Sequence, residues 1–249
     1  MDEATLRQRR RAIRRLVDEK KAEDAMAAYY AFYHPDERTR LYVYPKQAEK
    51  ARGYLAASRT GIDLFRPLVT LRLPEDDPHG AADLIYDAFE PGASVFIHST
   101  AEDGPVLSAL FDVHSEQRLL LYRLDRSRFE PIVNVLVMRS DTPDGKPRFI
   151  IRPTHAESGG EIGASASLNW QTRYFAEVTV YTNPQYRQRG WGRSVVAALA
   201  DELLHNGQLP LYEVSEQNEA SINLAESVGF VYSGAQKLLL EATLRERPG

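Results

Sequence analysis

The sequence Arg-Gln-Arg-Gly-Trp-Gly-Arg at residues 187–193 decides the fold prediction for this chain. It follows an apolar, strand-like run at Ala176–Tyr181 and precedes an amphipathic, helix-like run at Ser194–Leu204. A strand, a basic glycine turn and a helix bring unpaired backbone N–H groups and the positive end of a helix dipole to one place. Glycines also let a ligand approach that backbone closely. The segment therefore predicts a phosphate-binding turn.

Length and composition are those of an ordinary globular protein. The chain has 249 residues, of which 43% are apolar and 27% charged, enough for one large domain or two small ones. A net charge of −4 gives no general reason to expect nucleic acid as a partner. The lack of cysteine excludes disulfides, thiolate metal ligands and a cysteine nucleophile. The six histidines show no metal-ligand spacing, so we expect no metal site.

The beginning of the chain predicts neither a membrane span nor a secretory signal. No run of about 18 apolar residues is present, and the first residues are acids and arginines. We therefore expect a cytoplasmic protein. The first 25 residues or so have helical spacing and six arginines from Arg7 to Arg15. Acids follow these arginines closely and no aromatic residue separates them, which favours a solvated helix; a nucleic-acid-binding arm is the alternative.

The predicted elements occur in the same order in both halves of the chain, as three or four strands followed by helix, strand, helix and strand. In the first half the predicted elements are the strands Leu41–Tyr44, Gly53–Ser58, Leu68–Leu73, Ser94–His98 and Arg118–Leu124, and the helices Gly80–Phe89 and Pro105–Phe111. In the second half they are the strands Ile132–Met138, Arg148–Arg152, Ile162–Trp170, Phe175–Thr182, Leu209–Val214 and Val231–Leu240, and the helices Gly192–His205 and Ser221–Val228. This order predicts a mixed α/β (α+β) fold with two similar domains, residues 1–128 and 129–249.

Two blocks of the second half resemble the GNAT superfamily of N-acetyltransferases. Asn183–Ser194 is similar to the acetyl-CoA pyrophosphate loop, and Glu213–Phe230 is similar to the block that joins a strand, an asparagine and a short helix closed by Gly-Phe. The resemblance implies two GNAT-like domains, each a mostly antiparallel sheet with a crossover helix and flanking helices. In the first half, Pro-Glu-Asp-Asp-Pro at residues 74–78 takes the place of the glycine turn. Its prolines lack N–H groups and its acids repel phosphate, so we expect a degenerate copy there.

The resemblance implies acetyl-CoA as co-substrate. In the family, three strand residues contact the pantetheine arm through their backbone and the turn binds the diphosphate. The asparagine contacts CoA near the thioester end or the pantetheine arm. The corresponding residues here are Val180, Tyr181, Thr182, Arg187, Gln188, Arg189, Gly190, Trp191, Gly192, Arg193 and Asn218. We expect the Trp191 side chain to pack rather than bind adenine, and Asn218 to cap a helix as well.

Acetyl transfer to an amine needs a base, because an ammonium has no lone pair. Glu177 stands where histone-type GNAT enzymes carry their glutamate, and Glu213 where N-terminal acetyltransferases of ribosomal proteins carry theirs. The alternative is that each acid faces solvent or pairs with an arginine, Arg173 or Arg152. The tyrosine that many family members use to protonate the thiolate is replaced by Ala225. Tyr181, Tyr212 and Tyr232 lie nearby in sequence, and their spacing selects none of them.

The resulting functional prediction is an N-acetyltransferase that acts by direct attack of a primary amine, on a small molecule or a peptide. A non-catalytic CoA-binding or regulatory protein is one alternative, and a nucleic-acid-associated protein the other. We expect the first half to form one wall of the cleft that binds the acceptor. Its possible lining residues are Tyr29, Tyr30, Tyr33 and Phe65, although we expect each of them to pack in a core instead. The sequence leaves the acceptor and the number of subunits open.

Overall fold

The computed structural model describes residues 3–131, 136–153 and 161–247. These residues form two compact units, the first from Met1–Leu119 with Gln236–Gly249 and the second from Leu120–Ala235. The α-helices are α1 Glu3–Ala12, α2 Ala25–Ala28, α3 Pro78–Ala88, α4 Gly104–Leu110, α5 Trp191–His205 and α6 Glu219–Val228. The strands are β1 Thr39–Tyr44, β2 Gly53–Ser58, β3 Leu68–Arg72, β4 Ser94–Ser99, β5 Phe111–Leu124, β6 Met138–Arg139, β7 Phe149–Ile151, β8 Ala164–Gln171, β9 Phe175–Thr182, β10 Leu209–Ser215 and β11 Phe230–Leu244.

In the first unit, the strand order is β1-β2-β3-β4-β11. The pairs β1–β2, β2–β3 and β4–β11 are antiparallel, whereas β3 and β4 are parallel. The parallel pair is joined by α3, because parallel neighbours require a crossover connection. Strand β11 joins this unit through the pairing of Leu238–Thr243 with β4.

The second unit repeats this arrangement with the strand order β5-β10-β9-β8-β7-β6. Strands β6 to β9 pair antiparallel in succession, and α5 crosses over to make β10 parallel to β9. The predicted mixed α/β fold, with the same order of elements in both halves, is confirmed.

The core of the second unit forms between α5 and one face of the sheet. Alternate residues of β9, Ala176 and Val178, are buried against the helix residues Val195 and Leu199. Because side chains alternate between faces along a strand, the intervening residues, including Glu177, lie on the opposite face. The packing of α5 therefore determines which face of the sheet carries the acid.

The structure differs from the sequence prediction at the start of the chain. The single helix predicted over about the first 25 residues ends at Ala12, and the chain turns before α2 begins at Ala25. In between, Asp24 accepts a hydrogen bond from the Asp18 N–H (3.0 Å), and Asp18 accepts one from the Lys20 N–H (3.0 Å). Such side-chain bonds to the backbone compete with helix formation.

Two further predictions lie partly or wholly outside the described residues. The strand predicted at Ile132–Met138 includes residues 132–135, which the structure does not describe, and β6 begins at Met138. The sequence Ser-Gly-Gly at residues 158–160 also predicts a hairpin turn, and it too lies outside the described range. The compact units also divide at Leu119 and Ala235 rather than at residue 128, because the last residues of β11 pair with β4.

Replacing Gly163 with Ala should destabilise the second unit. A Cβ built on Gly163 would lie 2.4 Å from Cζ3 of Trp191, a buried ring that also stacks on Tyr186. Overpacking of this kind costs about 1–3 kcal/mol. Thermal unfolding should show a lower Tm for Gly163→Ala than for Gly104→Ala, since Gly104 has helical φ and ψ and a Cβ there would lie 3.6 Å from its nearest neighbour, Leu238 Cδ1. Equal Tm values would contradict this packing.

Candidate active site

The glycine turn lies at the N-terminus of α5. Gly190 is the N-cap residue and adopts the left-handed conformation, with φ 71° and ψ 3°. Gln188 also has a positive φ, 60°. The first hydrogen bond of the helix joins the Ser194 N–H to the Gly190 carbonyl at 3.0 Å. The chain therefore makes a tight left-handed turn directly before the helix, as the glycines predicted.

The backbone amides of residues 188–193 find no hydrogen-bond acceptor within the part of the chain that the structure describes. Three of these amides, those of residues 191–193, belong to the first turn of α5, which cannot bond within the helix. Amides at a helix N-terminus carry partial positive charge and favour anions. The turn thus presents a row of free donors suited to phosphate oxygens.

The side chains of the turn are engaged in packing. Trp191 is buried and stacks on Tyr186, with ring centroids 5.1 Å apart. Arg189 lies over both rings, 5.3 Å from the Tyr186 centroid. Arg193 donates from Nε to the Ser227 carbonyl at 2.9 Å, near the end of α6. What remains available for a ligand at these three positions is therefore chiefly the backbone.

Gly192 brings α5 close to its neighbours. A Cβ at this position would lie 2.8 Å from Leu224 Cδ1 and 2.8 Å from Thr182 Oγ1. Only a residue without Cβ allows the start of α5 to approach the end of β9 so closely. This contact places the free amides beside Thr182, the last residue of the strand that leads into the turn.

Strands β9 and β10 are paired as far as Leu211 and Glu177 and separate beyond that pair. Their parallel pairing runs from Leu209 with Phe175 to Leu211 with Glu177 and then ends, although β9 continues to Thr182. On its other edge, β9 stays paired with β8 as far as Thr182. The edge of β9 that includes Val180, Tyr181 and Thr182 is thus unpaired on the β10 side. Among the described residues, no strand pairs with the backbone of β9 on that side beyond Glu177.

Glu177 lies where the two strands part. It is only 7% exposed, so it does not face solvent. Its Oε2 accepts a hydrogen bond from Asn169 Nδ2 at 3.1 Å. Burial and the negative charge of Glu213 raise the pKa of Glu177 to about 8, although hydrogen bonds from Asn169 and Trp170 act to lower it. A carboxylate with such a pKa can exchange a proton with an amine near neutral pH.

The Asn169 and Trp170 partners of Glu177 were not among the residues selected from the sequence. Both lie on β8, where a register shift between Leu168 and Trp170 sets Trp170 opposite Glu177. A bulge of this kind adds a residue that no alternation pattern reveals. The only sequence signal is a pair of residues with N–H donors, Asn169 and Trp170, in the strand before the one that carries the acid.

Glu213 shares a sheet face with Glu177. Leu211 pairs with Glu177 in parallel register, and Glu213 follows two residues later, hence on the same side of the strand. Glu213 is half-buried, and its charge acts on Glu177. The structure therefore brings together both carboxylates that the sequence selected, one deeply buried and the other nearer to water.

Asn218 caps α6. Its Oδ1 accepts a hydrogen bond from the Ser221 N–H at 3.1 Å, and its side chain is exposed. Helix α6 ends at Gly229, which is left-handed with φ 110°. Ala225 is completely buried between these ends. The position that carries a tyrosine in many relatives thus belongs here to the helix core.

The corresponding place in the first unit is closed to anions. Asp77 caps α3, with Oδ1 accepting from the Gly80 N–H at 2.8 Å and Oδ2 accepting from Arg52 at 2.9 Å. The Gly80 hydrogen bond holds the pKa of Asp77 below its usual range. A carboxylate of this chain thus already bonds a backbone amide in the first turn of α3.

Three of the six N-terminal arginines contact other residues of the first unit. Arg9 donates to the Leu41 carbonyl at 2.5 Å, and Arg10 donates to the Ala31 carbonyl at 2.8 Å and pairs with Asp36 at 2.8 Å. Arg14 pairs with Glu19 and lies over Phe32. These contacts agree with a structural role rather than a nucleic-acid-binding arm.

One expectation for the aromatic residues of the first unit is wrong. Phe65, which was expected to pack in a core, is 91% exposed, because Asp63 holds its loop through hydrogen bonds from the Phe65 and Arg66 N–H groups. Tyr33 is 40% exposed, whereas Tyr30 is buried. Among the described residues, no cluster of acids and histidines could hold a metal ion, and no helix is long and apolar enough to cross a bilayer.

A family model and two curated proteins are similar to parts of this chain. The profile of the GNAT acetyltransferase family matches residues 154–239. The L-amino acid N-acyltransferase MnaT of Escherichia coli (strain K12) is 31% identical over 80 residues, 30% of this chain and 46% of that protein. The L-methionine sulfoximine/L-methionine sulfone acetyltransferase of Salmonella typhimurium is 33% identical over 79 residues, again 30% and 46%. The chain thus spans about half the length of these curated relatives.

Structural similarity extends further along the chain. A tandem GNAT protein from the clavulanic acid biosynthesis pathway superposes with a TM-score of 0.59 at 14% identity, covering 100% of this chain and 97% of the other. At that identity the likeness concerns the fold. The GNAT acetyltransferase family model thus matches residues 154–239, and over the whole chain the fold is similar to that of a tandem GNAT protein.

Proposed function

We propose that the second unit is an N-acetyltransferase that transfers acetyl from acetyl-CoA to a primary amine, with Glu177 as the general base. The observation that carries this proposal is the row of free amides at residues 188–193, at the end of the strand that holds Glu177. One curated relative is named as an L-amino acid N-acyltransferase and the other as an acetyltransferase, and the first name supports nitrogen as the accepting atom.

Acetyl-CoA fits the residues present. The amides of residues 188–193 would bind the diphosphate, and the unpaired edge of β9 at Val180–Thr182 would bind the pantetheine arm through its backbone. Arg187, exposed at the start of the turn, adds positive charge near the diphosphate. Asn218 lies at the start of α6, beyond the end of β10, and its place near the thioester is part of the proposal. The thioester supplies an activated acyl group.

The carboxylates then prepare the amine. Glu177 takes a proton from the ammonium, which frees the nitrogen lone pair to attack the thioester carbon. Glu213 stays closer to water and offers a second negative charge to the incoming cation. The N–C bond forms as the C–S bond breaks, and the electron pair of that bond leaves on sulfur. The first unit holds a carboxylate at the corresponding turn, so we assign it no acetyl-CoA site.

Calorimetry with CoA and a release assay for free CoA with a panel of amines test this function. We expect CoA to bind with one site per chain, and at least one primary amine to stimulate CoA release. Binding without amine-dependent release would favour a non-catalytic CoA-binding protein. No binding of CoA would contradict the proposal.

The pH profile should depend on Glu213. Since Glu177 must be deprotonated to act as base, kcat/KM should rise as the pH rises through about 8. Glu213→Gln removes a charge that raises the pKa of Glu177, so the rising limb should move to lower pH. Glu216→Gln, an exposed acid after β10, is the control and should leave the limb in place. If Glu213→Gln leaves the pH at which kcat/KM rises unchanged, the coupling of the two acids is contradicted.

A further inference from the structure

A pair of hydroxyl groups lies on the α6 side of the site. Tyr212 is the first residue of β10 beyond the last pair with β9, and it is 3% exposed. Its Oη lies 2.7 Å from Ser221 Oγ, and its ring lies 5.6 Å from that of Phe230. Ser221 is half-buried in the first turn of α6. A buried phenol is thus joined to a more accessible hydroxyl.

This pair is near the place where the proposed chemistry occurs. The last pair of residues between β9 and β10 includes Glu177, and Tyr212 follows its partner Leu211 directly. Because side chains alternate along a strand, Tyr212 lies on the sheet face opposite to Glu177, directly beyond the pair at which the two strands part. Burial raises the pKa of Tyr212, the hydrogen bond with Ser221 lowers it, and the charge of Glu177 raises it. Tyr212 therefore lies within electrostatic reach of the base and keeps its proton at neutral pH.

We propose that Tyr212 and Ser221 form a proton relay to the departing thiolate of CoA, an inference that rests on the proposed function. As the C–S bond breaks, Ser221 Oγ–H donates its proton to sulfur and Tyr212 Oη–H donates its proton to Ser221. The proton that the nitrogen loses when it becomes an amide returns to Tyr212. Over one turnover the ammonium loses two protons, one to sulfur and one to solvent through Glu177.

The other tyrosines that the sequence left open are placed differently. Tyr181 is 54% exposed and Tyr232 is 42% exposed, with Tyr232 beside Tyr122 at 5.8 Å between ring centroids. An exposed phenol gains little over water as the general acid, because water can reach and protonate the same sulfur. Tyr212 combines burial, a hydroxyl partner and proximity to Glu177. The geometry therefore selects it from the three.

The test measures single turnovers of enzyme-bound acetyl-CoA with an accepted amine. Tyr212→Phe keeps the ring and removes only the hydroxyl. Ser221→Ala keeps the cap of α6, because Asn218 bonds the backbone N–H of residue 221. Tyr122→Phe is the matched control, since it also removes a buried phenol hydroxyl, one that donates to Glu226 at 3.3 Å. Calorimetry with CoA and thermal unfolding are measured for every variant.

We expect both relay variants to slow acyl transfer by roughly 10²-fold, as for loss of a general acid, with an unchanged Kd for CoA. The solvent deuterium isotope effect on transfer should fall towards unity in Tyr212→Phe and persist in Tyr122→Phe. The double variant should be no slower than the slower single variant, because both act in one relay.

Three results would overturn the relay. Wild-type rates in Tyr212→Phe would refute it while leaving the acetyltransferase proposal intact. A slow Tyr212→Phe variant with the full isotope effect and a lowered Tm would assign the pair a structural role only. A wild-type protein that does not bind CoA would refute both the relay and the function on which it rests.

Discussion

Glu177→Gln should lower kcat by roughly 10²–10⁴-fold and leave the affinity for CoA unchanged. Gln is nearly isosteric with Glu but cannot accept the proton of an ammonium. Its amide oxygen can still accept the hydrogen bond from Asn169, so the contact between β8 and β9 at this position is kept. Steady-state kinetics and calorimetry with CoA measure the two quantities separately.

The same variant should be more stable than wild type at alkaline pH. The pKa of Glu177 is about 8 in the folded protein, above its ordinary value of 4.5, so folding favours the protonated acid. The stabilising effect of this proton is complete below about 4.5 and is lost as the pH rises through about 8. Gln does not ionise, so Tm of Glu177→Gln should exceed that of wild type at pH 9 by more than at pH 5.

Glu216→Gln serves as the control for both measurements, since Glu216 is exposed in the turn after β10. It should change neither kcat nor the pH dependence of Tm. Wild-type kcat in Glu177→Gln would refute the assignment of the base. A Tm difference independent of pH would show that the gain comes from packing and not from the proton.

Gly190→Val should weaken CoA binding by about tenfold. Gly190 has φ 71°, a left-handed conformation that costs an L-residue about 1–2 kcal/mol and a β-branched one more. The space beside it is open, so the penalty is conformational rather than steric. The chain would relieve it by rotating the peptide groups at residues 189–190, which turns the amide donors away from the diphosphate.

Gly207→Val is the matched control. Gly207 follows the other end of α5, has φ 77° and is equally free of neighbours. Both variants should lower Tm, because each imposes the same backbone strain. Only Gly190→Val should raise the Kd for CoA in calorimetry. An equal effect of the two variants on the Kd would refute the turn at residues 187–193 as the diphosphate site.

The sequence determined the features of this protein that depend on neighbouring residues. A left-handed turn before α5 follows from Gly190, and the strand and helix around it follow from periodic apolar residues. The position of Glu177 on β9 fixes its sheet face, because side chains alternate along a strand. The closed turn before α3 follows from its prolines and acids.

Only the tertiary structure decided how distant residues meet. The bulge in β8 sets Asn169 against Glu177, and the position of α6 beside β10 brings Ser221 to Tyr212. The end of β11 pairs with β4, more than a hundred residues away in sequence. These contacts depend on strand register and on packing between elements. Local patterns do not encode them, because a shift of one residue in register changes every partner without changing the pattern of either strand.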